Sequence, residues 1–301
     1  MASISCDDAL LGCSDAELIQ YIAKSSRSVF SSRVSFLSAG LVGKHYKVDE
    51  VEDVVYTMTC ARQLGIRTPR VRRVVTDQRN ANAFCIMDRV EGVTLEHIWS
   101  NLGWFSTIKV ALQLRRIITR LRSVTSSTAG SLVSGECRSF WLEDYYGLPP
   151  KSRPADLAYF FRFWCTFKGM RSAIKAAKHG ERLDSKEPSC LKCRDFVFTH
   201  HDLAPRNIML ASSGDIWVID WDYAGFYPVY FEYAAMQNFH TPKEWSVWAR
   251  LRWYLLTRVT ARCYEQSARI LRDIRSKFTR FSAGRRFELL NMGGPRRNPV
   301  S

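Results

Sequence analysis

Up to Arg89 the apolar positions come in short runs, and beyond it they recur at helical spacing. Ser14-Asp15-Ala16-Glu17 has the form of a capping box and precedes Leu18, Ile19, Tyr21 and Ile22, which predicts a short opening helix. Residues 34–47 read as two strands turning at 38–40, and residues 49–64 as a helix stopped by Gly65 and Pro69. Residues 71–76 and 84–89 are two more strands, joined by the polar stretch 77–82. Further on, Ile108, Ala111, Leu114, Ile118 and Leu121 repeat every three or four residues, as one face of a core helix should. Residues 157–178 form a second helical stretch rich in Phe and Trp. Trp245, Trp248, Leu251, Leu255 and Val259 form a third stripe, and both are expected in the core. Residues 130–153 are loop-rich and broken by Pro149-Pro150, and three β-prone runs follow at 196–198, 208–210 and 216–219. Turn chemistry, Ser212-Ser213-Gly214-Asp215, separates the last two. The pattern predicts an α+β protein with two lobes, small and β-rich at the start, larger and helical after it.

Composition narrows the class. The chain has 301 residues, enough for a sizeable core, and is 46% hydrophobic, with a mean hydropathy of −0.20. No apolar run approaches the roughly 18 residues of a membrane span, and residues 1–8 lack the basic start and apolar block of a signal peptide. The expected location is the cytoplasm, with the nucleus as the other compartment that fits. Nine scattered cysteines suit a reducing compartment, and Cys190-Leu191-Lys192-Cys193 is half of the four-ligand set a structural zinc needs. The net charge is +15, with arginines concentrated after residue 261. This reads as a solvated helix face followed by a basic tail at 286–301. No motif joins it to nucleic acid, so nucleic acid is not expected as a partner. Nothing in the sequence bears on oligomeric state.

The densest chemistry lies in residues 198–221. Phe198-Thr199-His200-His201-Asp202 runs on to Asn207, and the hairpin that follows ends at Ile219-Asp220-Trp221. An H-x-D-x-x-x-x-N loop followed by a hairpin ending in Asp supplies what phosphoryl transfer needs. One carboxylate orients or deprotonates the acceptor hydroxyl, while an amide oxygen and a second carboxylate hold Mg²⁺.

These residues, with Ile219-Asp220-Trp221-Asp222-Tyr223-Ala224-Gly225-Phe226-Tyr227-Pro228, resemble the aminoglycoside phosphotransferase and choline kinase-like enzymes, most closely their fungal branch. More weakly, Leu41-Val42-Gly43-Lys44 looks like that branch's strand lysine, Ile66-Arg67-Thr68-Pro69-Arg70-Val71 like its next strand entry, and residues 84–95 like its hinge. The likeness runs from about Leu41 to Tyr233 and implies a bilobal protein-kinase-like fold. The expected organisation is an N-lobe at 1–87, a C-lobe at 88–285 and the tail at 286–301.

The resemblance also implies roles. Asp202 would be the catalytic base, Asn207 and Asp220 would hold Mg²⁺, and Lys44 would reach the α- and β-phosphates of ATP. Glu52 is the acid chosen to hold Lys44, with Glu50 and Asp53 as alternatives, and the backbone of Met87, Asp88, Arg89 and Val90 would bind the adenine. His200 would support the loop. Asp222 and Glu232, with Glu143 and Asp144, are the acids expected on the acceptor side.

Two departures stand out. His201 occupies a position where that family carries a small or polar residue, and it is read as pointing to solvent, with an effect on the electrostatics of Asp202 as the alternative. Residues 31–40, which should cover the phosphates, lack G-x-G-x-x-G. The expected activity is ATP- and Mg²⁺-dependent transfer of the γ-phosphoryl group to a hydroxyl of a small molecule. The basic chain favours a neutral or weakly charged acceptor over a polycation. An inactive nucleotide-binding regulator is the main alternative. A protein kinase fits less well, because Asp220-Trp221-Asp222 replaces Asp-Phe-Gly and no Ala-Pro-Glu follows.

Overall fold

The computed structural model describes residues 6–28, 31–77, 80–142, 148–167 and 188–280. The predicted tail at 286–301, residues 168–178 of the second helical stretch, and Glu143 and Asp144 lie outside these. The chain divides into two compact units, Met1–Ile98 with Pro205–Asp222, and Trp99–Ala204 with Tyr223–Ser301.

In chain order the first unit begins with α1 (Cys6–Leu11) and α2 (Asp15–Lys24). The capping box closes α2 as predicted, the Ser14 hydroxyl and Glu17 carboxylate serving each other's backbone. Strands β1 (Ser26–Ser28), β2 (Ser31–Phe36) and β3 (Leu41–Lys47) lead into α3 (Val48–Gln63), and β4 (Val71–Asp77) and β5 (Asn82–Asp88) follow. The five strands form one antiparallel sheet in the order β1-β2-β3-β5-β4. Leu10, Leu18 and Ile22 from the opening helices pack with Leu37, Leu41, Val75 and Ile86 into its core. β6 (Val93–Thr94) and α4 (Leu95–Ile98) complete the contiguous part.

The second unit starts with Trp99 and continues through α5 (Trp104–Arg122), β7 (Thr125–Ser126), α6 (Pro154–Thr166) and β8 (Phe196–Thr199). Residues 205–222 return to the first unit as β9 (Ile208–Leu210) and β10 (Ile216–Val218), which join β6 in a small sheet. The second unit then resumes with β11 (Gly225–Tyr227), which pairs with β8, and with α7 (Phe231–Gln237), α8 (Val247–Ala261) and α9 (Glu265–Arg280). No helix among the described residues is long and apolar enough to cross a membrane.

The third apolar stripe departs from its prediction. Trp245 is buried, but Trp248, Leu251, Leu255 and Val259 are exposed on α8, and Ile108 is exposed on α5. The inward face of α8 is Ala249, Arg252, Trp253, Leu256, Thr257, Thr260 and Ala261, three of them polar. Arg252 is held there by the Trp99 carbonyl (2.8 Å) and the Thr107 hydroxyl (3.2 Å), so each of its terminal nitrogens has a partner on burial.

Candidate active site

The first unit gathers a compact charge cluster. Lys44 is buried in the middle of β3, and its Nζ donates to Asp220 Oδ1 (2.6 Å) and Asp222 Oδ1 (2.7 Å). The Tyr46 hydroxyl donates to the same Asp222 oxygen (3.0 Å), and Arg33 Nη2 on β2 donates to Asp222 Oδ2 (2.7 Å). Burial works against ionising Asp220, but the Lys44 ammonium outweighs it and holds that carboxyl below the ordinary range. Burial likewise pushes the Tyr46 phenol well up, with the charges of Asp222 and Asp220 adding to it, so it stays a neutral donor.

Local structure aims these groups. Lys44 and Tyr46 lie two residues apart on one strand and so share a face. The β9–β10 hairpin closes as the turn residues predict, and the Ile219 N–H donates to the Asn207 carbonyl (3.0 Å), tying the backbone at Asn207 to the residue before Asp220. Asp220 itself sits at φ 65°, in the left-handed region that few non-glycine residues adopt and that Asp tolerates better than most. Trp221 is buried behind it, with its indole N–H on the Thr68 hydroxyl (2.7 Å). Two carboxylates that already converge on one cation, beside a buried asparagine, make a hard-oxygen set that suits Mg²⁺. Among the described residues no cluster of three or more His, Cys, Asp or Glu is placed to hold a metal, and Cys190 and Cys193 are not joined in a disulfide.

Three expectations for this unit need correction. Asp222, expected to face an acceptor, is instead held by Lys44, Arg33 and Tyr46. Glu52, chosen as the acid beside Lys44, is exposed, because α3 turns Val51, Asp53, Val54, Thr57 and Met58 inward and Tyr56 outward. At the hinge the Asp88 N–H donates to the Arg70 carbonyl (2.9 Å) and the Arg89 N–H to the Gly40 carbonyl (2.7 Å). Those two donors are committed within the sheet, and the adenine expectation narrows to Val90 N–H and the hinge carbonyls.

The second unit holds the other half of the motif. The loop after β8 is anchored from below by Glu232 on α7, which is fully buried and accepts the N–H of His200 (2.8 Å) and of His201 (3.1 Å). Burial pushes the Glu232 carboxyl up to about 7 against the pull of those two N–H groups and of Arg122. This position corrects the expectation that Glu232 faces an acceptor, since its oxygens are taken by the loop. His200 is buried, and its Nδ1 accepts the N–H of Asp202 (3.2 Å). Asp202 is half-buried.

His201 does not point to solvent. It is fully buried at φ 67°, with its ring stacked on Phe140 (4.6 Å) and on Phe231 (5.5 Å) and its Nε2 paired with the Ser139 hydroxyl (2.8 Å). The positive φ turns the imidazole back into an aromatic pocket, which a sequence pattern cannot announce. Its Nδ1 is buried with no partner among the described residues. Burial first, and the neighbouring His200 second, lower its pKa from 6.5 to about 3. The unfolded chain therefore takes up a proton that the folded chain refuses, and the contribution of His201 to stability is lost as pH drops below 6.5 toward 3, opposite in sign to that of Glu232. His201→Asn, which suits the positive φ, is expected to flatten that limb by up to about 1.4 kcal/mol per pH unit in urea unfolding at pH 5 to 6.5.

Arg33, Tyr46 and Ser139 were missed from the sequence. The i, i+2 spacing of Asp220 and Asp222 carried a usable signal for their convergence, whereas nothing in the pattern marked Arg33.

Comparison with known proteins adds the following. The model of the phosphotransferase enzyme family matches residues 38–265. No curated protein matches the chain. Among solved structures, the aminoglycoside phosphotransferase APH(3'')-Id from Streptomyces rimosus in complex with ADP and streptomycin is similar with a TM-score of 0.51 at 14% identity. That match covers 89% of this chain and 99% of that one. A second structure of the same enzyme gives a TM-score of 0.52 at 14% identity, over 88% of this chain and 96% of that one. An apo thermostable mutant of APH(4)-Ia gives 0.50 at 16% identity, over 93% and 96%. At these identities the likeness shows the fold, which is the protein-kinase-like α+β fold the sequence predicts.

Proposed function

Because the chain belongs to the phosphotransferase enzyme family, we propose that it transfers the γ-phosphoryl group of ATP to a hydroxyl of a small molecule, with Mg²⁺ as cofactor. The observation that carries this reading is the convergence of Asp220 and Asp222 on the Lys44 ammonium, one strand-end away from Asn207. Asn207 and Asp220 would hold Mg²⁺, which when bound neutralises charge developing on the phosphates. Lys44 would move its charge from the carboxylates to the α- and β-phosphates, and Arg33, from the phosphate-covering strand, would supply a second cation in place of a glycine-rich loop. Tyr46 would keep Asp222 oriented while Lys44 is engaged. The Val90 N–H and the hinge carbonyls would hydrogen-bond the purine.

Asp202 would accept the proton of the acceptor hydroxyl. Its backbone N–H is fixed by His200, and the two residues before it are fixed by Glu232, so the carboxylate is presented from a stiff loop. In a loose transition state, positioning and charge neutralisation contribute more than base strength. Glu232 and Asp222 both have other partners, which withdraws two of the carboxylates that would have bound a polycation. A neutral or weakly charged hydroxylated acceptor fits that balance.

The deciding experiment is ATP consumption by the purified chain over a panel of hydroxylated metabolites and aminoglycosides, with and without Mg²⁺. Mg²⁺-dependent turnover of a neutral acceptor is expected, and Asp220→Ala should abolish the thermal shift that MgATP gives the native chain. MgATP binding with no turnover on any acceptor would favour the regulatory reading instead. Turnover confined to polyamine sugars would remove the proposed acceptor class.

A further inference from the structure

Helices α5 and α8 pack side by side with their starts together. Arg252 of α8 reaches the Thr107 hydroxyl near the start of α5, and Arg122 at the end of α5 donates to the Ala261 carbonyl at the end of α8 (2.8 Å). Both helices leave apolar side chains outside. Phe105 is 79% exposed, Val247 77% and Trp248 70%, with Trp104, Ile108 and Leu112 also exposed on α5 and Leu251, Leu255 and Val259 on α8. The Arg252 guanidinium lies over the Trp104 ring (6.0 Å) and is one helical turn from Trp248, so the two exposed starts are neighbours. A contiguous apolar surface of this kind marks an interaction face.

Charge decides what it fits. Neither α5 nor α8 contains an Asp or Glu, while Lys109, Arg115, Arg116, Arg120, Arg250 and Arg258 are exposed on them. At 100° per residue, Arg115 and Arg116 continue the line of Phe105, Ile108 and Leu112, and Arg258 that of Leu251 and Leu255. Two copies of this face would set cation against cation, which disfavours self-association. The most exposed side chains project rather than line a groove, whereas an acidic partner helix would need a groove to sit in. Protruding Trp and Phe on two helices that carry cations and no acids are the chemistry of a bilayer interface, the rings at headgroup depth and the cations on anionic headgroups.

We propose that the α5–α8 face docks the protein peripherally on anionic lipid surfaces. The test is co-sedimentation of the full chain with vesicles of phosphatidylcholine alone and of phosphatidylcholine containing phosphatidylserine. Binding should be at least about tenfold stronger to the anionic vesicles and should weaken as salt rises. The paired change Phe105→Ser with Trp248→Ser, and separately Arg115→Glu with Arg116→Glu, should each lower partitioning about tenfold or more, with the urea midpoint unchanged because all four side chains are exposed.

Several outcomes would overturn the proposal. One is no sedimentation with phosphatidylserine vesicles. Another is binding that survives both double variants, which would move the lipid contact to the arginines after residue 261. A lipid-free dimer in light scattering that Phe105→Ser with Trp248→Ser dissociates would assign the face to a second copy. A designed acidic amphipathic peptide that binds this face while vesicles leave the protein in the supernatant would assign it to a protein partner.

Discussion

Replacing Asp202 with asparagine is expected to lower kcat by about 10²- to 10⁴-fold while leaving the affinity for MgATP unchanged. The two effects separate because Asp202 belongs to the second unit, whereas Lys44, Asn207 and Asp220 belong to the first. Asparagine keeps the volume of the side chain, and the contact to His200 is made by the backbone N–H, so the loop geometry is retained. Only the capacity to accept a proton is removed. Single-turnover kinetics with saturating acceptor, paired with a MgATP thermal-shift titration, reads both quantities. Activity close to that of the native chain would take the base assignment away from Asp202, and a lost thermal shift would mean that the loop has moved.

The second large effect is on stability. Glu232→Ala is expected to cost about 2–6 kcal/mol, since two buried backbone N–H groups lose their acceptor and each such loss costs about 1–3 kcal/mol. Glu232→Gln should cost much less, because one amide oxygen can serve both donors, as Glu232 Oε2 now does at 2.8 and 3.3 Å. The pair also separates by pH. With its carboxyl raised from 4.5 to about 7, Glu232 gives full stability only below about 4.5, and the native chain loses it as pH climbs through 7. The glutamine variant carries no such slope, so its deficit should shrink between pH 5 and pH 8 in urea unfolding. A parallel slope in both proteins would place the titrating group elsewhere.

Much of the catalytic segment was legible because its information is local. The strand, turn and hairpin around Asp202 and Asp220 follow from short β-prone runs and a Ser-Ser-Gly-Asp turn, and the sheet of the first unit from period and punctuation. The helix faces failed for one physical reason. Helix faces were phased by counting apolar residues, and on α8 the inward face includes Arg252, Thr257 and Thr260, whose polar groups are paired with Trp99 and Thr107, with Gln237, or with carbonyls of the helix itself. The same error put Glu52 rather than Asp53 on the inner side of α3. Acids such as Asp222 and Glu232 were assigned to the acceptor because a carboxylate in a pattern carries no mark of the lysine or N–H groups that will claim it.

The return of residues 205–222 to the first unit has a consequence for synthesis. When the ribosome has released the first 98 residues, β6 still lacks β9, Lys44 lacks both its acids, and the Arg67 carbonyl and Thr68 hydroxyl await Val218 and Trp221. That unit can be finished only after more than a hundred further residues emerge, and the loop so closed carries the entropy of its length. A nascent chain paused before residue 205 therefore has its five-stranded sheet but neither the small sheet around β6 nor the acids of Lys44, and depends on whatever shields those groups until the missing hairpin arrives.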